Sequence, residues 1–543
     1  MSLPLTATEA PGRPGVTREP LWLVLALAAL LFVARVLAAD FGAFVEGDDL
    51  SIAAGLAAIR NGNIGDLYRY GPQVGYYQLV VALSKLAGDD LTRIPAIMVW
   101  LSCIAGTVIP IAALNAFRHD LSTLERRLLF AVLAANPIVW MSSRYGNTAM
   151  VSVAIVLTAA VILSNRPSRR GELLALALFG CAIVVRADAV LATGGIGMLL
   201  WRNHGSFRAA AVRVAATGAA VAAIFATLVA VDPRMASLVG NVAEHLANDF
   251  PSRFWDYLLW AFSPLVLIFA VLGARELAEG RRWIALSLAA WALPAAAFYY
   301  GAITTPRYFL LLAFPLAVAA AVGIAAMLGP PGRRPAWRVA LVLLAAGVHL
   351  AVALGFTIPS HRRSWLTEGS FVTHDGPMWT GAFLYKSYVM QRPWRASVFS
   401  PPLSRVGPAD RTLAAMLDTV ARGGARGARV LVVLDRAWGS DFQLYSQFAK
   451  ARVLSMSTGK IPYNKSLELE LGGARLTTLG AGELTNDPEL RLPLSAGDEL
   501  WVVIRDGEAE EEVRERLPAA LRLAPLPAMP GAPLLTRYRV EGA

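Results

Sequence analysis

The sequence predicts an α-helical polytopic membrane protein of about eleven crossings, followed by a small α/β domain outside the membrane. Of 543 residues, 56% are hydrophobic and only 16% charged, with a mean hydropathy of +0.50. A soluble globular chain carries about 25% charged residues. Charge-poor blocks of about 20 residues recur through the first two thirds, each able to cross a hydrocarbon core. Beyond residue 356 the pattern changes to short apolar strands alternating with amphipathic helices. A soluble enzyme, a collagen-like chain and a disordered chain are excluded.

The apolar blocks fall at 21–39, 94–117, 127–142, 148–164, 172–186, 189–201, 207–231, 255–275, 282–300, 308–328 and 336–356. Alternate connections hold Arg13 and Arg18; Arg118, Arg126 and Arg127; Arg166, Arg169 and Arg170; Arg202 and Arg208; Arg275, Arg281 and Arg282; Arg333, Arg334 and Arg338. The opposite connections hold Asp48, Asp49, Asp66, Asp232, Glu244 and Asp249. Basic loops stay cytoplasmic, so the net charge of +11 is a topology signal and no nucleic-acid partner is expected. The tail 1–20 is placed inside, and an odd number of crossings puts everything after residue 356 outside. The protein is expected in the inner (plasma) membrane.

Residues 74–87 (VGYYQLVVALSKLA) are apolar but short for a span. Counted as a crossing, they would break the charge alternation of every later loop. They are therefore read as an interfacial or re-entrant helix with Tyr76 and Tyr77 at headgroup level, a tilted span being the alternative. The short pair 172–186 and 189–201 reads as a broken hairpin dipping in from the cytoplasm. Block 21–39 ends in Leu37-Ala38-Ala39 but is long for a signal peptide, which favours an uncleaved first helix. Cys103 and Cys181 both fall in apolar segments and read as small core residues, with no disulfide framework. No pair of histidines has zinc-ligand spacing.

Residues 357–408, rich in Ser, Pro, Arg and aromatics, read as a connector over the outer surface. In 409–543, RTLAAMLDTVARGG and EEEVRERLPAAL read as helices, and ARVLVVLDRAW, ARVLSM, DELWVVIRDG and LLTRYRVEG as strands. This unit lacks a Gly-rich phosphate loop and reads as a packing or acceptor-presenting module. No inverted two-half symmetry is visible, which weakens a transporter reading.

The ionisable groups concentrate in the loop 40–93 after the first span. Asp48 and Asp49 precede SIAAGLAAIRNG, which reads as a short helix ended by Asn61-Gly62. Two readings of the pair stand. One is an N-cap with an acidic first turn, favoured by the helix dipole; the other is a catalytic carboxylate at the membrane face. Asp66, in a turn-rich run, is either a cap or a second candidate base.

The order of these pieces resembles the GT-C superfamily of membrane glycosyltransferases, which includes protein O-mannosyltransferases, aminoarabinose transferases of lipid A, arabinofuranosyltransferases and oligosaccharyltransferases. An acidic Glu46-Gly47-Asp48-Asp49 follows the first span, then come a short helix, an aromatic stretch with Tyr70-Gly71-Pro72 and a short apolar block. Family members carry an Asp-Glu or Asp-Asp pair in that loop. Ser143-Arg144-Tyr145-Gly146-Asn147, Arg186-Ala187-Asp188 and Thr305-Pro306-Arg307-Tyr308-Phe309 fall in other outer connections. The resemblance takes in residues 20–356 in architecture, making 21–356 the GT-C-like domain. The chain departs from the pattern in crossing number, nearer the arabinofuranosyltransferase layout. It also has Arg69-Tyr70-Gly71-Pro72 where some relatives have Lys-Pro-Pro, and it lacks the motifs of the oligosaccharyltransferase branch.

The resemblance implies transfer of one sugar from a polyprenyl-phosphate donor to a hydroxyl of a glycan, lipid or protein acceptor at the outer face, with inversion. The phosphate leaving group needs no general acid, so a single carboxylate suffices to take the acceptor's proton, unlike the pair in glycosidases. Asp48 takes that role. Asp49 orients it, contacts the sugar or shares a divalent cation, Ca²⁺ or Mn²⁺. Guanidinium groups stabilise the departing phosphate. The candidates are Arg307, Arg186, Arg144 and Arg69, with Tyr308 and Tyr145 as hydrogen-bond donors. Each arginine has an alternative as a snorkelling interfacial residue, Arg186 as a partner of Asp188, and each tyrosine as a belt aromatic. A transporter or flippase of a lipid-linked or anionic substrate, or a cell-envelope assembly protein, are the other functions open to such a chain.

Overall fold

The computed structural model describes residues 19–39, 41, 56, 73–88, 93–143, 145–231, 254–255, 258, 262, 264–301, 309–329, 335–354, 408–434, 452–458, 465–480, 492, 494–503, 515, 518 and 520–542. Helices form in the charge-poor blocks. In chain order they are α1 (Leu21–Ala38), α2 (Val74–Leu86), α3 (Ile94–Ala113), α4 (Thr123–Ala134), α5 (Pro137–Ser142), α6 (Thr148–Ser164) and α7 (Arg169–Val185). They continue with α8 (Thr193–His204), α9 (Phe207–Val231), α10 (Pro264–Gly280), α11 (Arg282–Gly301), α12 (Leu310–Leu328) and α13 (Ala336–Leu354). Among the described residues α3, α9, α11 and α12 are each long and apolar enough to cross a membrane, and α1 and α6 are shorter apolar helices. This is a multi-pass membrane protein.

Local chemistry sets the breaks. Block 127–142 divides at Asn136-Pro137, where proline cannot continue a helix and Asn136 Oδ1 accepts from the Val139 N–H at 3.2 Å. Ser122 starts α4 with a reciprocal capping box: its hydroxyl accepts from Glu125 N at 3.2 Å, and Glu125 Oε2 accepts from Ser122 N at 2.7 Å. Asn147 caps α6, accepting from Ala149 N at 2.9 Å. After α7 the chain makes a 3-10 turn over Ala187–Ala192 before α8.

Helix α2 has 13 residues, about 20 Å of helix, too short to span. Arg35 lies against Gly106 while Phe41, later in the chain, packs tilted on Trp100, earlier in α3, so α1 and α3 run antiparallel side by side. The chain therefore leaves α1 and enters α3 at one end of the bundle. The headgroup position expected for Tyr76 and Tyr77 is corrected: both rings are fully buried. The reason is packing of α2 against α7, where a side chain on Gly75 would meet the Val184 backbone at 2.8 Å. Cys181 is a second correction. It is exposed on the outer side of α7, while Cys103 is buried.

The arginine-rich connections converge on one end of the bundle. Arg127 forms a bidentate pair with Glu19, at 2.8 and 3.0 Å. Arg281 forks onto Glu125 at 2.6 and 3.0 Å and also donates to the Asp120 carbonyl. Arg202 pairs with Asp120 and reaches the Ser164 carbonyl. Asn165 accepts from Arg118 N and donates to the Asn115 carbonyl. Glu172, at the start of α7, holds both His204, at the end of α8, and Arg213. The contact between Glu172 and His204 brings the far ends of α7 and α8 together, so these helices form the expected hairpin with Arg186 at its tip.

Burial alone would raise the Glu125 carboxyl, but the hydrogen bonds and charge of Arg281, with the bonds from Ser122, hold it below the usual 4.5. A depressed folded value contributes stability above the unfolded value, and that contribution is lost as pH falls through the folded one. Glu125→Gln is expected to cost about 1–3 kcal/mol. Its melting temperature falls below that of the unsubstituted chain at about pH 7 and meets it in acid below 4.5; a gap that stays constant with pH would refute the ion-pair origin.

The C-terminal unit is a seven-stranded mixed sheet with a helix packed on it. Helix α14 (Pro408–Ala421) precedes β1 (Arg429–Leu434), β2 (Arg452–Thr458), β3 (Lys465–Leu471), β4 (Ala474–Gly480), β5 (Glu499–Val503), β6 (Leu521–Pro525) and β7 (Leu535–Gly542), in the order β2-β3-β4-β1-β5-β7-β6. The centre is parallel, β1 pairing with β4 and β5, and the outer strands pair antiparallel. Its apolar runs RVLVVL and ELWVV lie at the centre with both faces covered, as buried parallel strands require. Strands β3, β4 and β6 exceed the sequence expectation. Gly472 and Gly473, at φ 58° and 80°, make the β3–β4 hairpin turn that positive φ at both positions favours. A side chain on Gly472 would collide with the Val420 carbonyl of α14 at 1.9 Å. The connector 357–408 lies outside the described residues except at 408, as does most of the helix expected at 510–521.

Candidate active site

At the end of the bundle opposite the arginine cluster, a buried polar layer forms around the segment between α5 and α6. Asn147 N donates to Ser102 Oγ at 2.9 Å, and Ser102 donates to the Met98 carbonyl at 3.1 Å. Asn147 Nδ2 donates to Tyr145 Oη at 3.2 Å. Cys103 Sγ donates to the Ser143 carbonyl at 3.3 Å. Gly146 lets the segment lie on α3, since a Cβ there would meet Met98 at 2.8 Å. Thr148 Oγ1 accepts from Arg186 Nη1 at 2.9 Å, while Arg186 Nε lies 2.9 Å from both oxygens of Asp188.

This layer brings together two of the expected residues, Tyr145 and Arg186, through the adjacent Asn147 and Thr148. Tyr145 is buried and is not a belt aromatic, because Asn147 and the packing of Gly146 on α3 draw it into the bundle. Arg186 has a carboxylate partner within its own turn, so its charge is compensated before any ligand arrives. Asp48, Asp49, Asp66, Arg69, Arg144, Arg307 and Tyr308 lie outside the described residues. Among the described residues no group of three or more His, Cys, Asp or Glu side chains is placed to hold a metal.

A sequence reading passes over Arg35, Ser102, Asn147 and Thr148. For Arg35 a signal exists: it is the single ionisable residue in LWLVLALAALLFVARVLA. A charge inside a membrane helix points to function by default. It is fully buried, and its guanidinium carbon lies 4.4 Å from the centre of the Trp140 ring. The other three residues carry no pattern that separates them from ordinary helix polar groups.

No family model matches the sequence, and no curated protein matches it. Solved structures do. ArnT from Cupriavidus metallidurans bound to undecaprenyl phosphate superposes with a TM-score of 0.54 at 13% identity, over 95% of this chain and 97% of that one. The same protein in the apo state gives 0.55. The chain has the fold of ArnT. ArnT is an aminoarabinose transferase of the GT-C superfamily, and at this identity the likeness is one of fold. It takes in the C-terminal sheet as well as residues 20–356. A weaker likeness, TM-score 0.44 at 10% identity over 79% of this chain and 64% of the other, is to the archaeal oligosaccharyltransferase AglB from Archaeoglobus fulgidus in complex with an inhibitory peptide and a dolichol-phosphate.

Proposed function

We propose that the chain is a membrane glycosyltransferase that moves a single sugar from a polyprenyl-phosphate donor to a hydroxyl of a glycan, lipid or protein acceptor at the outer membrane face. The observation that carries this reading is the ArnT fold along 95% of the chain, since ArnT was solved with undecaprenyl phosphate bound. The arginine-clustered end of the bundle faces the cytoplasm, because basic loops are retained there. Eleven crossings then place the polar layer around Asn147 and the unit 409–543 outside.

In the reaction, Asp48 takes the proton from the acceptor hydroxyl as its oxygen attacks the anomeric carbon. The bond from that carbon to the phosphate oxygen breaks, the sugar inverts, and polyprenyl phosphate leaves. Asp49 orients Asp48 or contacts the sugar. Arg307, Arg144 and Arg69, with Tyr308 and Tyr145, neutralise and hold the departing phosphate. Arg186 acts from its pair with Asp188, keeping Thr148 and the α6 start in place. The sequence offers Asp48 and Asp49 for a Ca²⁺ or Mn²⁺ ion, whose contribution would be to bind the donor's negative charge.

The test is transfer of radiolabel from polyprenyl-phosphate sugars to envelope acceptors in membranes with and without the chain. Transfer that depends on the chain and on Asp48 is expected. Movement of the lipid that survives Asp48→Asn, with no transfer from any donor, would replace this reading by a transporter.

A further inference from the structure

Arg35 carries a positive charge that the described residues do not compensate. Three other buried or half-buried arginines each meet a carboxylate: Arg186 meets Asp188, Arg202 meets Asp120 and Arg281 meets Glu125. Arg35 meets none among the described residues. Its Nη1 donates weakly to the Leu31 carbonyl of its own helix at 3.4 Å. Its Nε and Nη2 are buried without a hydrogen-bond partner. Trp140 covers the guanidinium face, which offsets only part of the cost of burying a charge.

The surroundings are built around this side chain. Gly106 leaves the space: a Cβ there would lie 2.8 Å from Arg35 Nε, 3.2 Å from its Cδ and 2.6 Å from Ser143 Cβ. Arg35 sits in the last turn of α1, at the same end of the bundle as the layer around Asn147, Thr148 and Arg186. Nε–H and Nη2–H form one edge of the guanidinium, the planar fork that matches two oxygens of a phosphate. A leucine would satisfy this position at far lower cost. That edge has no hydrogen-bond partner among the described residues, and a group with two anionic oxygens would match it.

We propose that the Nε/Nη2 edge of Arg35 binds a phosphate group, that of the lipid substrate. This rests on the reading that the chain uses a polyprenyl phosphate. Trp140 lies over the guanidinium and Ser143 lies beside Gly106. They belong to or adjoin α5, six residues bounded by the Asn136-Pro137 break and by Gly146, so phosphate binding at this edge requires that short helix to shift.

The experiment is a thermal-shift titration of the full chain in detergent with undecaprenyl phosphate, undecaprenol and inorganic phosphate, on the unsubstituted chain, Arg35→Met, Arg35→Lys and Asp48→Asn. Undecaprenyl phosphate stabilises the unsubstituted chain and undecaprenol does not. Arg35→Met melts at or above the unsubstituted chain without lipid, since a buried unpaired charge is gone, and binds the lipid phosphate about ten- to a hundredfold more weakly. Arg35→Lys keeps the charge but loses the fork and binds about tenfold more weakly. If Arg35→Met fails to accumulate, the affinity of Arg35→Lys decides alone. A shift by inorganic phosphate that Arg35→Met removes assigns the site to free phosphate and overturns the lipid assignment. Unchanged lipid affinity in either variant, or no shift of the unsubstituted chain by any of the probes, overturns the proposal. Sugar transfer assayed separately on Asp48→Asn separates the two readings: retained transfer there overturns the Asp48 base without touching the lipid affinities of the Arg35 variants, and unchanged affinity in those variants overturns the Arg35 site without touching the transfer result.

Discussion

Asp48→Asn lowers sugar transfer by roughly a hundred- to ten-thousandfold and leaves donor affinity nearly unchanged. The amide has the size of the carboxylate and retains a carbonyl that accepts hydrogen bonds. What it loses is the capacity to accept the acceptor's proton as the sugar–phosphate bond breaks. The loss therefore falls on kcat, with KM for the donor held, because a general base acts in the transition state and not in donor binding. Asp49→Asn falls less far if Asp49 only orients its neighbour, and Asp66→Asn retains transfer. The measurement is single-turnover transfer from a labelled polyprenyl-phosphate sugar, with lipid binding read separately. Full activity in Asp48→Asn with loss in Asp66→Asn would move the base to Asp66. If neither substitution affected transfer, the base would lie elsewhere than in this loop.

That the arginine-rich connections gather at one end of the bundle was legible in the sequence for a reason that reaches beyond composition. The arginines of these connections pair with one another's neighbours: Arg127, Arg202 and Arg281 find Glu19, Asp120 and Glu125. The charge pattern that marks these connections in the sequence thus also ties the helix ends. Tyr76 and Tyr77 mislead because an aromatic pair in a short apolar helix looks the same whether it meets headgroups or a second helix. The close approach at Gly75, which decides between these, is a three-dimensional fact. In the C-terminal unit, continuous apolar runs find β1 and β5 at the sheet centre. They miss β3, whose KSLELEL alternates as a strand with one polar face does. Arg35 is hidden by its position, because an arginine in the last turn of a span reads as one that snorkels to the interface. Only the packing of Gly106, Trp140 and Ser143 around it shows the side chain turned inward. For the acidic pair, motif and topology are the whole of the case, since Asp48 and Asp49 lie outside the described residues.

Gly273→Leu and Gly323→Leu are each expected to prevent accumulation of a monodisperse protein. Helices α10 and α12 touch backbone to backbone. A Cβ on Gly273 would lie 1.7 Å from the Ala319 carbonyl oxygen and 2.6 Å from Gly323 N, and one on Gly323 would lie 2.1 Å from the Phe269 carbonyl oxygen. In a bilayer, helix association depends on such close approach by small residues, because the lipid supplies no hydrophobic drive between helices. A larger side chain here meets main chain, which has no alternative rotamer, so the two helices must separate. The cost is about 3 kcal/mol or more. Helix α12 is buried along almost its whole length, and it begins immediately after Arg307-Tyr308-Phe309, so its displacement also disturbs the chain that carries a proposed phosphate ligand. Alanine is the graded case: Gly273→Ala lowers the melting temperature, and an overlap this severe leaves even a methyl no room. Gly218 and Gly347 supply the contrast within the same protein, for they lie in α9 and α13 with nothing within 4 Å of where a methyl group would stand. Alanine at either adds helix propensity of about 0.5–1 kcal/mol without a clash, so those variants melt at or above the unsubstituted chain. Size-exclusion profiles and melting curves in detergent measure all of these. Unaltered behaviour of Gly273→Leu would show that α10 and α12 are not in backbone contact, and the helix arrangement that places the polar layer would have to be redrawn.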